Sequence, residues 1–170
     1  MDYILNRRSV RKYDLAKKIS YEELKELCRY AEAAPSARRQ ESRAYVIVDN
    51  PEIIRELSTV SKGSMILSDC NTLIAVIGKN PQNISTPQMQ AQDCSAATEN
   101  ILLAATQKGY GSCWIGIYPL EERMQACSKI LNVSGGDFVF SLVALGYPQS
   151  KDCFYDTAKL KEENIHHNRY

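Results

Sequence analysis

Apolar and small side chains run through residues 93–116, first with the spacing of a helix and then with that of a strand. Over residues 93–108 they recur three and four positions apart, which predicts a helix. Ala96, Leu103 and Ala104 lie off this stripe, so the helix is apolar on nearly every side and should be buried. We expect it to be covered by most other elements of the chain or by a second copy. The stripe comprises Cys94, Ala97, Thr98, Ile101, Leu102 and Ala105.

The other periodic segments alternate between helix and strand. Ser20 and Glu23 form a capping box at the start of one helix, and Asn50 with Pro51 starts another. Two near-continuous apolar runs, residues 72–78 and 138–145, indicate central strands. This alternation favours a layered α/β or α+β sheet. The predicted helices are 20–34, 50–60, 93–108 and 119–131, and the predicted strands are 45–48, 72–78, 112–118 and 138–145.

Composition places the chain among ordinary globular proteins. With 170 residues, 44% hydrophobic and 24% charged, it suits a single domain. A net charge of +1 gives no general field for nucleic acid, and no apolar run approaches the roughly 20 residues of a membrane span. The first residues carry charge early and lack an apolar signal region, so a cytoplasmic protein is expected.

Most protein-based chemistries lack their motif in this sequence. The six cysteines include no C-x-x-C pair and have no histidine at ligand spacing, so we expect reduced structural thiols and no metal. There is no Gly-x-Ser-x-Gly elbow or phosphate-binding P-loop. The turn at residues 109–111 follows a helix and precedes a strand, the reverse of the dinucleotide-binding order. His166 and His167 stand near the C-terminus, where we expect surface or interface contacts. Two classes of function remain: a binding module, and an enzyme whose chemistry is supplied by an organic cofactor.

A basic segment lies near the N-terminus. Arg7, Arg8, Arg11 and Lys12 place four basic residues within six positions, with Ser9 among them. Guanidinium groups and a hydroxyl suit phosphate oxygens, which predicts an anion site. The same run also suits a solvated basic surface, and the segment by itself leaves both interpretations open.

Taken together, these segments resemble the FMN-dependent nitroreductase family over essentially the whole chain. The family's N-terminal signature, which holds the FMN phosphate, resembles residues 7–13, and its Ala-Pro-Ser loop resembles residues 34–37. Its central helix and Gly-x-Gly-Ser-Cys-Trp-Ile-Gly turn resemble residues 93–116. The closing strand matches residues 145–148, and residues 159–170 resemble the tail that returns a basic residue to the phosphate.

The resemblance implies an α+β fold of three layers, a mixed β-sheet flanked by helices, with a long central helix at a dimer contact. Residues 1–170 would form one FMN-binding domain, and residues 149–170 would pack on the partner subunit. The small residues of the central helix, including Ala97 and Ala104, would meet their copies across the two-fold axis. Each site would need both subunits of the homodimer.

The implied activity is hydride transfer from NADH or NADPH, through FMN, to an electron-poor small molecule such as a nitro compound or quinone. It proceeds in two half-reactions at one face of the flavin, which carries the chemistry, so no protein side chain is assigned as catalytic and no metal is needed. The alternative is a regulatory relative that binds flavin or nucleotide without turnover, and a nucleic-acid binder using residues 7–12 is a third, weaker hypothesis.

The resemblance also assigns roles to individual residues. Around the phosphate and ribityl chain it places the N-terminal signature and a returning cation of the tail, which is Lys159 or, failing that, Lys161. A cation at the pyrimidine edge favours the reduced, anionic ring. The cofactor-binding candidates are Arg7, Arg8 and Ser9 at the phosphate, Arg11 at the pyrimidine edge, Trp114, Ile115 and Gly116 beside the central flavin nitrogen, and Pro35, Ser36 and Ala37 from the other subunit.

One loop departs from the family pattern. Arg39 stands where the family often has Asn, and Glu41-Ser42-Arg43 replaces Gln-Pro-Trp. Arg39 is a candidate cofactor-pocket residue at the wall of the flavin and substrate pocket. Arg39 and Arg43 would select a carboxylate- or phosphate-bearing acceptor, or else pair with Glu41.

Overall fold

A four-stranded sheet with helices on both faces forms the fold in a computed structural model, which describes residues 2–170. The predicted strand at Thr72–Gly78 is confirmed without a shift of either end. The stretch before it, which is not among the predicted elements, is the 3-10 helix Lys62–Asp69. The helices are α1 Tyr3–Asn6, α2 Tyr21–Glu32, α3 Pro51–Ser58, α4 Gln90–Gln107 and α5 Glu121–Ile130, and the strands are β1 Arg43–Val48, β2 Thr72–Gly78, β3 Gly111–Gly116 and β4 Phe138–Gly146.

The strand order is β1-β2-β4-β3, and every neighbouring pair is antiparallel. The expectation of central positions for β2 and β4 is confirmed, and seven of seven β2 residues are buried, as the continuous apolar runs indicated. The mixed character expected of the sheet is confined, within residues 2–170, to a parallel bridge between Ser9 and Ser112. β1 and β3 are therefore the edge strands.

Successive residues of the central strands face opposite layers, which gives the expected three-layer α+β arrangement. On β2, Ile74 and Val76 pack with α2 and α4, whereas Leu73 and Ala75 pack with α3, α5 and the 3-10 helix. The two-residue period of a strand produces this division. Both faces of the sheet are thus covered by the chain itself.

The long central helix is buried on one side and partly exposed on the other, whereas the sequence predicted burial on nearly every side. Ala97 and Ala104 are 0% and 6% exposed and pack inside the protomer's own core. They are therefore unable to meet their copies across a two-fold axis, and that prediction is wrong. The outward stripe of the helix holds Gln92, Ser95, Ala96, Glu99, Asn100 and Leu103, which are partly or fully exposed.

The C-terminal segment leaves the sheet after Pro148 and exposes its apolar side chains. Tyr155, Leu160 and Ile165 are 54%, 73% and 55% exposed on the single chain. Tyr170 is also exposed. None of the helices within residues 2–170 combines the length and the hydropathy needed to cross a bilayer.

Polar contacts join α2 to the C-terminal end of α4 and β3. Lys108 donates to Glu26 at 2.6 Å, and the Tyr110 hydroxyl donates to Glu23. Chiefly because of these hydrogen bonds, the pKa values of Glu26 and Glu23 lie below their ordinary range. Carboxylates with a lowered folded-state pKa stabilise the fold above their unfolded pKa, and this contribution is lost as the pH falls through the folded value.

We predict that Glu26→Gln reduces the acid sensitivity of the fold. The parent should lose urea stability as the pH falls below about 4.5, and the variant should lose less because it has no titrating partner for Lys108. Urea midpoints at pH 7 and pH 3.5, at one protein concentration, measure the difference. Glu22→Gln is the control, since Glu22 pairs only with Lys25 of its own helix. Equal acid losses in Glu26→Gln and the parent would contradict the prediction.

Candidate functional site

The N-terminal segment crosses the sheet edge at the start of β3. The Val10 N–H donates to the Ser112 carbonyl at 2.9 Å, next to the Ser9–Ser112 bridge. A Cβ added at Gly111 would lie 2.7 Å from Cγ1 of Val10, so glycine is required for this close crossing. This contact fixes the basic segment beside the edge strand.

Two of the predicted phosphate ligands are already engaged with other parts of the chain. Arg7 Nε lies 3.3 Å from Oε1 of Glu99 on α4. Burial raises the pKa of Glu99, and the Arg7 charge acts in the opposite direction. Arg8 donates to Oγ1 of Thr157 at 2.7 Å, and its guanidinium lies 4.9 Å from the centre of the Tyr155 ring. Arg8 therefore ties the N-terminal segment to the tail.

A cavity of about 360 Å³ lies between these segments. Its cationic wall includes Arg8 and Arg11, with the exposed Ser9 between them, and Arg11 donates to the Ser9 carbonyl at 3.2 Å. Nε of Arg8 is buried and has no hydrogen-bond partner among residues 2–170. The cavity thus offers donors to an anion.

The tail lysines lie outside this cavity. Lys159 and Lys161 are exposed, and neither forms an ion pair with another part of the described chain. The tail reaches the N-terminal segment through Tyr155 and Thr157 instead, which the sequence interpretation missed. Aromatic and hydroxyl residues in an aperiodic tail gave no signal for this contact. The roles of Lys159 and Lys161 at the phosphate stay predictions.

The three predicted flavin-contact residues of β3 face different directions. Ile115 is 4% exposed and belongs to the core with α3 and α5. Trp114 is half-buried on the α4 face, with its ring centre 6.4 Å from that of Phe140. Gly116 is exposed, and a Cβ there would meet nothing within 4 Å. Among the three, Gly116 therefore opens the most space beside the backbone.

Backbone carbonyl and N–H groups lie along the outer edge of β3, the edge that faces away from β4. The carbonyls of Ser112 and Gly116 accept from Val10 and from Arg123, so both point away from β4. By the two-residue period of an antiparallel pair, the N–H and C=O of Trp114 face this edge as well. Ser112 and Gly116 are four residues apart, or about 13 Å along the strand. The cationic cavity and the open backbone at Gly116 thus follow one edge.

Aromatic side chains gather beyond Gly116, a grouping that the sequence pattern did not indicate. The Tyr118 ring stacks on Phe140 with centroids 5.4 Å apart. Phe140 is the extra residue of a β-bulge, because Val76 pairs with Ser141 while Ile77 pairs with Val139. Bulges re-aim side chains at sheet edges. The bulge keeps Phe140 on the α4 face, between Trp114 and Tyr118.

Asp93 clamps the loop that carries Pro35, Ser36 and Ala37. This carboxylate is 4% exposed and accepts from the Ala37 N–H at 2.9 Å. Its second oxygen accepts from the side chains of Gln40 and Ser42, each at 2.7 Å. Between the residues held by these hydrogen bonds, Arg38 and Arg39 have φ angles of 51° and 55°. Left-handed backbone at non-glycine residues costs about 1–3 kcal/mol each, so the surrounding bonds must hold the turn.

Arg43 is a structural residue and not a pocket cation. It is 7% exposed and donates to the carbonyls of Ala34 at 2.6 Å, Asp93 at 3.1 Å, and Pro35 and Glu32 at 3.2 Å. Its charge thereby satisfies the carbonyls at the end of α2 and the start of the loop. Both roles expected of Arg43, anion selection and pairing with Glu41, are wrong, and Glu41 lies 4.0 Å from Lys79 instead.

A second cavity, of about 500 Å³, is bordered by this loop. Pro35, Ser36 and Arg39 line it together with Lys79, and the half-buried Ala37 adjoins them. These residues do not line the cavity that holds Arg8, Ser9 and Arg11. In one chain the candidate residues are therefore divided between two cavities.

Comparison with known proteins identifies the family of proteins to which this fold and this sheet edge belong. The chain belongs to the nitroreductase family: the model described as "Nitroreductase family" matches residues 4–70 and 66–147. This confirms the resemblance found in the sequence.

Individual relatives cover nearly the whole chain. A protein of Archaeoglobus fulgidus named as an NADH dehydrogenase/NAD(P)H nitroreductase is 36% identical over 98% of this chain and 96% of its own length. A crystal structure described as an NADH oxidase from Clostridium acetobutylicum has a TM-score of 0.91 at 33% identity, covering 99% of this chain and 100% of that one. An FMN-dependent nitroreductase from Clostridium difficile, 24% identical, shares the fold with a TM-score of 0.88 over 99% of each chain.

We predict that Asp93→Ala lowers the free energy of unfolding by about 3 kcal/mol, because donors of the loop lose a buried acceptor. Asp93→Asn should cost less, since its amide oxygen still accepts. Urea denaturation measures both, with Asp156→Ala as the control at an exposed carboxylate that accepts one local backbone bond. A loss for Asp93→Ala no larger than for the control would contradict the clamp.

Proposed function

We propose that this chain is an FMN-dependent oxidoreductase that passes hydride from NADH or NADPH to an electron-poor small molecule, such as a nitro compound or a quinone. The observation that carries the proposal is the sheet edge at β3, with a cationic cavity at one end and open backbone at Gly116 at the other. Family membership and the names of the relatives support it.

The residues of this edge fit FMN. Arg8, Ser9 and Arg11 offer donors for the phosphate, and the unpartnered Nε of Arg8 is a buried donor in need of an acceptor. The open space at Gly116 admits a flat ring close to the backbone. The distance of about 13 Å between the two ends suits a ligand with an anionic tail and a ring.

When bound, FMN supplies the two-electron chemistry, and the chain binds and orients it. Arg11, exposed beside Ser9, is the cation proposed to stabilise negative charge on the ring. The N–H of Trp114 and the free space at Gly116 would hold the ring against β3. Trp114, Phe140 and Tyr118 form an apolar border that excludes water on the α4 side.

The working unit proposed is a homodimer, with Pro35, Ser36 and Ala37 completing the site of the partner. The separation of the candidate residues between two cavities supports this, since one chain does not bring them together. The exposed apolar residues of the tail and the outer stripe of α4 supply surface for the contact. Residues 149–170 are proposed to pack on the partner.

The alternative of a relative without turnover draws its support from the departure of residues 39–43 from the family pattern. Arg43 is buried in the clamp, so the change at the pocket is reduced to Arg39. No other feature of the described residues favours that alternative.

We predict that the purified protein binds FMN and that Ser9→Ala and Arg11→Ala each weaken this affinity about tenfold, because each removes a polar contact to an anion or a ring edge. Fluorescence titration of flavin into protein stripped of it measures the dissociation constants. Arg55→Ala on α3 is the charge-matched control, and it should leave the affinity unchanged. Unchanged affinity in both site variants would contradict the assignment.

We predict that Leu103→Glu on the outer stripe of α4 dissociates the dimer, because it places a charge in the proposed contact. Sedimentation velocity should show a monomer, with weaker FMN binding in the same sample. Met65→Glu is the control, since Met65 is 63% exposed on the opposite face of the sheet. A dimer that survives Leu103→Glu with full FMN affinity would place the contact elsewhere.

A further inference from the structure

We infer that Arg39 is a specificity residue that recognises an anionic group on a substrate of the flavin site. This inference rests on the proposed function and goes beyond it by naming the chemistry of the ligand. The group is a phosphate or a carboxylate, carried either by the nicotinamide nucleotide or by the electron acceptor.

Two consecutive arginines hold an unfavourable backbone conformation in this turn. Arg38 and Arg39 have φ angles of 51° and 55°, in the region that favours glycine. Strained residues persist where the surrounding structure determines them, and they concentrate at ligand-binding sites. The left-handed turn carries both side chains outward, and both are exposed.

The chain holds this turn from both sides with buried bonds. Asp93 accepts from the Ala37 N–H at 2.9 Å and from the Gln40 side chain at 2.7 Å, one residue before and one residue after the two arginines. The Gln40 side chain also donates to the Thr86 carbonyl at 3.1 Å and accepts from the Thr86 N–H at 2.8 Å. The arginine backbone is therefore pre-organised and not a loose surface loop.

The charged groups around Arg39 have other partners. Arg43 donates to backbone carbonyls, and Glu41 lies 4.0 Å from Lys79. Among residues 2–170, Arg39 has no carboxylate within 4 Å and no side-chain hydrogen bond. Its guanidinium is the uncommitted cation that lines the 500 Å³ cavity.

The cavity has the size and charge to receive part of a substrate. Apart from the buried Arg43, whose guanidinium is bonded to backbone carbonyls, its lining holds the cations Arg39 and Lys79 and the carboxylates Glu32 and Glu41. A planar guanidinium binds carboxylate or phosphate with two parallel hydrogen bonds. Pro35 and Ser36, the residues proposed to reach the partner's flavin, line the same cavity, so an anion held by Arg39 would belong to a molecule at that site.

Arg39→Gln tests this inference, and Arg38→Gln is its matched control. Arg38 is the same residue type, exposed in the same left-handed turn, but does not line the cavity. Calorimetric binding to the protein as purified uses two pairs of probes: NADP⁺ against NAD⁺, and 4-nitrobenzoate against the uncharged 4-nitrobenzamide. Each pair differs in one anionic group, and binding does not require turnover.

We expect the parent to prefer the more anionic member of one pair, and Arg39→Gln to reduce that preference about fivefold to tenfold. Arg38→Gln should keep it. A change in the nucleotide pair assigns the anion to the nucleotide phosphate, and a change in the benzoate pair assigns it to the acceptor. An equal loss of preference in Arg39→Gln and Arg38→Gln would indicate a general electrostatic field and would overturn the inference. A parent protein that shows neither preference would overturn it as well.

Flavin binding is scored separately by absorbance. A protein without FMN refutes the proposed function, whereas bound FMN with unchanged preferences refutes only the role of Arg39.

Discussion

The buried carboxylate of Asp93 is the interaction on which the candidate site depends most. It stands in the first turn of α4 and binds three donors of the segment between α2 and β1. Arg43 completes the junction by bonding the Asp93 carbonyl and the carbonyls that end α2. Two charged side chains are buried here, and each is satisfied by hydrogen bonds, which is the condition under which burial is tolerated. Helix, loop and edge strand are thereby held in one fixed relation.

The second constraint is the free edge of β3. The N-terminal segment covers only its beginning, because Val10 bonds Ser112 and no described strand follows beyond it. Exposed sheet edges are normally covered, since their backbone groups need partners. In this chain the remaining edge carries the backbone of Trp114 and Gly116, next to a cationic cavity. A ring bound there would take the place that a fifth strand takes in a larger sheet.

The sequence predicted those parts of the structure that local pattern determines. The Ser20 capping box, the Pro51 helix start and the strand at Thr72–Gly78 are confirmed, because caps and apolar runs act over a few residues. Arg43 was misassigned because its role depends on carbonyls of Ala34 and of Asp93, which is 50 residues away. Ala97 and Ala104 were placed at a subunit contact because composition does not tell which side of an apolar helix the chain itself covers. The contact of Arg8 with the tail is likewise set by tertiary packing.

The central claim is that this edge holds a flavin that cycles between a nicotinamide nucleotide and an electron acceptor. An anaerobic titration of the purified protein, followed by visible absorbance, tests it most directly. We expect NADH or NADPH to bleach the bound flavin, and a quinone or a nitroaromatic compound added afterwards to restore the oxidised spectrum. Bound flavin that stays oxidised in the presence of either nucleotide would contradict it.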